Sequence, residues 1–332
     1  MSKLFFGCIG LTLVLLSSCR NDEIKLGFLL PNMVSARYQK EKEAFIQKAQ
    51  ELGCTAIVTS ADYDDKLQIS QASELIGQGV KVLVVNPING NTAAAIVRLA
   101  HEHNVQVIAY DRLIKNCKLD YFLSFDNEKV GRLMAEYVLK IKPEGKYILL
   151  GGDKADQNAV WVKKGQTDAL TANISAGKIK VVYNIFVEDW SGENAKFEMK
   201  TFLNLSTEKP DVILSSYDGM TTATIELLKD YGLQGNVLTT GQDAELDACR
   251  NVVKGFQAMT IYKPVKNLAI KAAELAKLIA TSHKITDATA KINNGEKDVP
   301  SVLLEPIVVD KSNIKTTIIA DGFHSEKEIF QD

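Results

Sequence analysis

The sequence predicts an α/β protein made of two doubly wound parallel-sheet halves, and three observations carry that prediction. Strand-length apolar runs alternate with longer stretches of helical periodicity from Ile24 to about residue 281. That order gives parallel sheets covered by helices on both faces. The runs are too many for one comfortable sheet, and the pattern breaks and restarts near Phe125, which marks two similar halves. At 332 residues the chain also exceeds the size at which one core keeps growing. The competing architecture, a (β/α)8 barrel, would need one continuous ring from this two-part run.

In the first half, Ile24–Leu30, Cys54–Thr59, Val80–Val85, Val105–Tyr110 and Tyr121–Phe125 read as strands, short and rich in β-branched or large apolar residues. Helical stretches fall near 36–52, 66–78 and 92–104. In the first of these, Phe45, Ile46, Ala49 and Leu52 share one face at three- and four-residue spacing. Gly53 then stands where a helix-ending glycine would. In the second half the strands are Lys146–Leu150, Lys180–Val187, Val212–Ser215, Val237–Thr240 and Ala258–Tyr262. Helices are expected near 127–141, 156–175, 192–205, 219–231, 245–254 and 265–281. The tail adds extended pieces at Val302–Val309 and Thr316–Ala320, with turns around Asn293–Gly295.

The first nineteen residues differ from the rest. Lys3 is their only charge, Leu4 to Leu16 is an apolar run, and Leu16-Ser17-Ser18-Cys19 follows. The run is too short to span a bilayer comfortably and reads as a secretory signal. Its ending resembles the lipobox of bacterial lipoproteins, which implies lipidation at Cys19, export, and a membrane anchor. The polar Arg20-Asn21-Asp22-Glu23 follows at once, as a tether should.

The whole chain is 46% hydrophobic and 24% charged, with net charge −2 and pI about 6.2. Those are the proportions of an ordinary soluble protein. No basic block is present, which argues against a nucleic-acid partner. Cys54, Cys117 and Cys249 allow at most one disulfide, so this is no disulfide scaffold. Cys54 opens a strand and reads as a small buried hydrophobe. No CxxC occurs and His101 and His103 are not at a ligand spacing, so no metal and no cofactor are expected.

The informative residues follow the strands. Val105–Tyr110 ends abruptly in Asp111-Arg112, and in open α/β sheets ligands bind at the carboxyl ends of strands. Arg37-Tyr38, Asp126-Asn127, Asp156 with Asn158, Asp189-Trp190, Tyr217-Asp218, Gln242-Asp243 and Lys263 occupy the matching places elsewhere. A single Asp after a strand is an ordinary helix cap, and Asp126 and Asp218 carry that reading equally well. The set as a whole mixes carboxylates, cations and carboxamides with one tryptophan. Vicinal hydroxyls each donate and accept, so they want acids and bases together. A sugar ring's C–H face can be covered by an aromatic such as Trp190. There is no GxGxxG, GxxxxGK[ST], GxSxG or HExxH. The four histidines lie outside the set, which removes the commonest general base. Asp111 and Asp243 could serve a glycosidase in principle, but hydroxyl acceptance accounts for them without chemistry.

Ala36-Arg37-Tyr38-Gln39-Lys40, Ala109-Tyr110-Asp111-Arg112, Ser124–Gly131, Gly241-Gln242-Asp243-Ala244, Tyr262-Lys263-Pro264 and Asn293–Ser301 together resemble the D-xylose-binding proteins of bacterial ABC importers. The resemblance runs from about Ile24 to the C-terminus and includes Asp321-Gly322-Phe323-His324. It implies the type I periplasmic-binding-protein fold, two lobes joined by a hinge with a sugar closed between them. The expected division is a leader over 1–19, a first lobe of 20–125 with 264–300, and a second of 126–263 with 301–332. Hinge segments would then fall near 125, 263 and 300. The resemblance further implies hydroxyl contacts from Arg37, Asp111, Arg112, Asn158, Asp243 and Lys263, with Asp156 nearby and Trp190 stacking on the sugar. Tyr38 and Tyr217 join this set at positions where the family carries Trp and Asn.

These features predict a monomeric clamp that captures a pentose and docks on an ABC permease. A sugar-sensing or autoinducer-sensing subunit feeding a sensor kinase would share every binding feature. LacI-type repressors use the same core behind a helix-turn-helix, whose place the leader takes here.

Overall fold

The computed structural model describes residues 23–282 and 288–331; the expected leader with Cys19, and His283, lie outside them. The first sheet contains β1 (Ile24–Leu30), β2 (Cys54–Ser60), β3 (Val82–Val85), β4 (Gln106–Tyr110) and β5 (Tyr121–Phe125). To these it adds β11 (Ala290–Asn293) and β12 (Asp298–Leu304), in the order β11-β12-β5-β4-β3-β1-β2. The second sheet contains β6 (Gly145–Gly151), β7 (Ile179–Phe186), β8 (Val212–Ser215), β9 (Leu238–Gln242), β10 (Met259–Tyr262) and β13 (Ile307–Val309). Its order is β13-β10-β9-β8-β6-β7. Within each sheet the five sequence-consecutive strands repeat one arrangement, second-first-third-fourth-fifth, all parallel. The two halves expected from the restart near Phe125 are therefore two copies of one doubly wound design. In that design the strand order reverses between first and third strands, and ligands bind in the crevice there.

Helices cover both faces of each sheet, because the strands bury side chains on both sides. On the first sheet, α1 (Ala36–Glu51) and α9 (Val265–Ser282) enclose Phe28, Phe45, Tyr110, Leu123 and Leu268. On its other face, α2 (Asp65–Gly77) and α3 (Ala94–Glu102) enclose Leu29, Leu75, Leu83 and Ile96. On the second sheet, α4 (Asn127–Ile141) and α5 (Gln157–Ser175) pack on Tyr147, Leu149 and Leu214. Opposite them, α6 (Gly192–Leu205) and α7 (Asp218–Asp230) pack on Ile148, Leu150 and Ile213. Each such side chain, fully buried, contributes about 1.5–3 kcal/mol. The helix starts are set by short polar side chains. Asp64 accepts from the backbone of Lys66 and Leu67, Asp126 from Lys129, and Asp156 from Asn158. Gly53, at φ +70°, ends α1 as its position suggested. Among the described residues, Cys54, Cys117 and Cys249 are buried and unbridged.

Three expectations for the tail are corrected. Val302–Val309 is not one extended piece: β12 pairs with β5 through Leu304, and β13 pairs antiparallel with β10 in the other sheet. The third passage between sheets therefore falls at Glu305–Pro306, beyond the expected 300. Pro300 lies inside β12, where it pairs with Lys291. Thr316–Ala320 is helical rather than extended, with a π-helical turn over Lys315–Ile319. Its β-branched residues suggest a strand, but Ile314 and Ile318, four apart, are the pair buried in the core, beside α8 (Leu246–Lys254) and α10 (Glu326–Phe330).

Candidate ligand-binding cleft

The carboxyl ends of both sheets face one another, and the sequence-predicted residues meet there. In the first lobe, α1 begins just after β1 and presents Arg37. The guanidinium places Nη2 2.8 Å from Asp111 Oδ2 and Nε 2.8 Å from Glu41 Oε1. Asp111 stands directly after β4 with φ +62°, a left-handed conformation that Asp tolerates better than most residues. Its carboxyl lies below the usual carboxylate range. Burial pushes it up, and Arg37, Lys263 and Arg112 together outweigh that push. Burial likewise works to lower the Arg37 guanidinium, and Asp111 with Glu41 reverses it. Tyr38, 6% exposed, packs into the first-lobe core beside Arg37, whose guanidinium carbon lies 5.6 Å from its ring centre. Burial raises its phenol.

The second lobe supplies the opposing groups. Asp156, the cap of α5, pairs at 3.1 Å with Arg112 of the first lobe. Asn158, in the first turn of α5, donates from its amide to the Asp111 carbonyl at 3.1 Å and accepts from Asn127 at 3.1 Å. Lys263, 5% exposed at the end of β10, stands 2.8 Å from Asp243, which follows β9 with φ +89°. Trp190 sits at φ +54°, edge-on to Tyr217 with ring centres 6.1 Å apart. It lies so close over Gly152 that a Cβ there would overlap the indole ring. The Trp190 indole nitrogen and Asp243 Oδ1 are buried without hydrogen-bond partners, although Asp243 keeps its charge contact with Lys263. Left-handed non-glycine residues cost energy and persist where surroundings over-determine them. Here Asp111, Trp190 and Asp243 all carry site side chains.

Tyr217 stands immediately before α7 without capping it by its side chain, and turns its hydroxyl to donate to Glu245. Burial, then the Glu245 carboxyl, raises its phenol. The phenol thus has its own partner, and its ring forms a wall with Trp190. Asp126 and Asp218 take the structural reading. Asp126 caps α4. Asp218 is fully buried and accepts from Gln257, Thr260 and the Glu245 backbone.

Several residues at the cleft escaped the sequence reading. Glu41 is fully buried behind Arg37, with burial pushing its carboxyl up to about 7 against the pull of that arginine. Its four-residue spacing from Arg37 on one helix was the available signal. Asn86 follows β3 and is fully buried with neither side-chain amide atom partnered. Gln242 Oε1 and Asn127 Oδ1 are also unpartnered; both belong to the strand-end set named from the sequence, though neither was among the expected ligand contacts. Glu245 had no signal, since its role depends on where Tyr217 points. Among the described residues no cluster of three His, Cys, Asp or Glu could hold a metal.

Residues 26–284 match the family described as periplasmic binding protein domain. The chain is 42% identical over 322 residues to the D-xylose-binding periplasmic protein of Haemophilus influenzae, covering 97% of each. It is 41% identical over 307 residues to the D-xylose-binding periplasmic protein of Escherichia coli, covering 92% of this chain and 93% of the relative. A solved ABC transporter solute binding protein from Clostridium phytofermentans, with bound β-D-glucose, aligns with a TM-score of 0.82 at 26% identity. That alignment covers 92% of this chain and 99% of the other. Two doubly wound lobes facing one charged cleft, and a family match across most of the sequence, lead to one conclusion: the chain belongs to the periplasmic binding protein family.

Proposed function

We propose that the protein is an exported solute-binding lipoprotein that closes its two lobes on a monosaccharide, D-xylose foremost, and delivers it to an ABC permease. One observation carries the reading: acids and bases from both lobes alternate across one cleft. Arg37, Asp111 and Arg112 come from the first lobe; Asp156, Asn158, Asp243 and Lys263 come from the second. Adjacent hydroxyls fit between such groups, each donating to a carboxylate and accepting from a cation. Trp190 would lie against the ring's apolar face. The hinge segments follow the chain's passages between sheets, near 125, near 263 and at Glu305–Pro306, and closure shifts an open–closed equilibrium. The groups need no proton transfer, so the reading is binding without catalysis.

A pentose has about ten heavy atoms, and a ceiling of ~1.5 kcal/mol per atom easily accommodates the roughly −8 kcal/mol of a micromolar Kd. Titration calorimetry against a panel of pentoses and hexoses is expected to give tightest binding for D-xylose; absence of heat with every aldose overturns the reading. The lipid anchor rests on the Leu16-Ser17-Ser18-Cys19 ending. Cys19→Ala is expected to move the protein from the membrane to the soluble fraction of cell lysates. Unchanged fractionation removes the anchor.

A further inference from the structure

The tail motif Asp321-Gly322-Phe323-His324 lies behind the cleft, and no ligand role accounts for it. His324 donates from Nε2 to the Ala244 carbonyl at 2.9 Å, an oxygen that also faces the Cys249 thiol at 3.5 Å. Ala244 directly follows Asp243, and the two residues stand at φ +52° and +89°. Two successive non-glycine residues in the left-handed region form a strained turn that its surroundings must hold. On its inner side the turn is fixed by the Asp243 backbone N–H to Ile261 and the Ala244 N–H to Thr260. On its outer side, the carbonyl of the strained peptide is held by His324.

His324 is itself fixed. Phe323 packs on Tyr262, with ring centres 5.1 Å apart, and Tyr262 donates its hydroxyl to Asp321. Tyr262 immediately precedes Lys263, the cation 2.8 Å from Asp243. From the first lobe, Lys40 donates to the Phe323 carbonyl and lies 4.3 Å from that ring's centre, while Lys266 reaches the Asp321 carbonyl at 3.3 Å.

We infer that His324 is a positioning residue for Asp243, holding the left-handed Asp243–Ala244 turn by a hydrogen bond to the Ala244 carbonyl so that the carboxylate meets Lys263 and the sugar. The inference rests on the sugar-binding reading of Asp243. Its test is titration calorimetry with D-xylose on the full mature protein, alongside thermal melting without sugar. His324→Phe keeps an aromatic ring and removes the donor, and is expected to weaken binding about tenfold. His324→Gln retains an amide donor and is expected to bind within about threefold of the wild type. In an Asp243→Ala background His324→Phe is expected to cost less than about twofold, because no carboxylate remains to be placed. A purely structural role would lower melting in both backgrounds and leave that coupling absent. The inference is overturned if His324→Phe binds as the wild type does, if the Gln variant is as weak as the Phe variant, or if the losses add. Should His324→Phe not fold, His324→Leu takes its place under the same outcomes. Failure of the underlying reading looks different: the wild type binds no aldose, or Asp243→Ala binds as tightly as the wild type.

Discussion

Asp111→Ala is expected to weaken D-xylose binding by about 2 kcal/mol or more, roughly 30-fold in Kd. The carboxylate is the common partner of Arg37 at 2.8 Å and faces Arg112 and Lys263. Removing it takes away a hydroxyl acceptor and leaves those cations facing one another without their shared counter-charge. Arg37 keeps Glu41, Arg112 keeps Asp156 and Lys263 keeps Asp243, so the loss falls on the sugar: the hydroxyl that pairs with this carboxylate would be buried unpaired on closure and cost its full desolvation, more than an ordinary hydrogen bond. Alanine at φ +62° adds backbone strain to the folded state, but strain present with and without sugar cancels from the affinity. Asp111→Asn, which tolerates that conformation, separates the two effects and should still lose most of the binding. A calorimetric loss below about 0.5 kcal/mol would reduce Asp111 to a turn residue.

Gly131→Ala is expected to destabilise the second lobe by about 2–3 kcal/mol, lowering Tm on the order of 5–10 °C. Here α4 and α5 cross with backbones in contact. A Cβ at Gly131 would overlap the Val162 carbonyl and come within 2.9 Å of the Gln166 nitrogen. One at Gly165 would overlap the Glu128 carbonyl. Alanine ordinarily favours a helix over glycine by about 1 kcal/mol. Backbone atoms cannot rotate away as a side chain can, so the clash wins. The effect reaches the cleft, because Asn127 on α4 holds the side chain of Asn158 on α5 at 3.1 Å. Thermal denaturation followed by circular dichroism checks it; an unchanged or raised Tm would show that the helices shift apart freely.

Much of the fold was legible because the period of the hydrophobic pattern is local. The strands from Ile24–Leu30 to Ala258–Tyr262 and the helices between them are set by runs of adjacent residues, and the structure keeps them with shifts at their ends. Where partners distant in the sequence decide, the reading failed. Val302–Val309 divides between two sheets because β12 pairs with β5 and β13 with β10, and Thr316–Ala320 coils because Ile314 and Ile318 find one core.

The site divides in the same way. Residue types at the strand ends followed from the sequence alone, and so did the kind of ligand they suit, since a strand's carboxyl end is fixed by where its apolar run stops. Which of them meet was decided only by the folded chain. Arg112 finds Asp156 across the lobes, Tyr217 turns to Glu245, Glu41 lies buried beneath Arg37, and His324 reaches a carbonyl eighty positions away. Two doubly wound halves with charged strand ends were readable before folding, because each depends on neighbours along the chain. The tertiary structure alone decided the pairing and orientation of those charges, because hydrogen bonds and burial act between residues that only folding brings within reach.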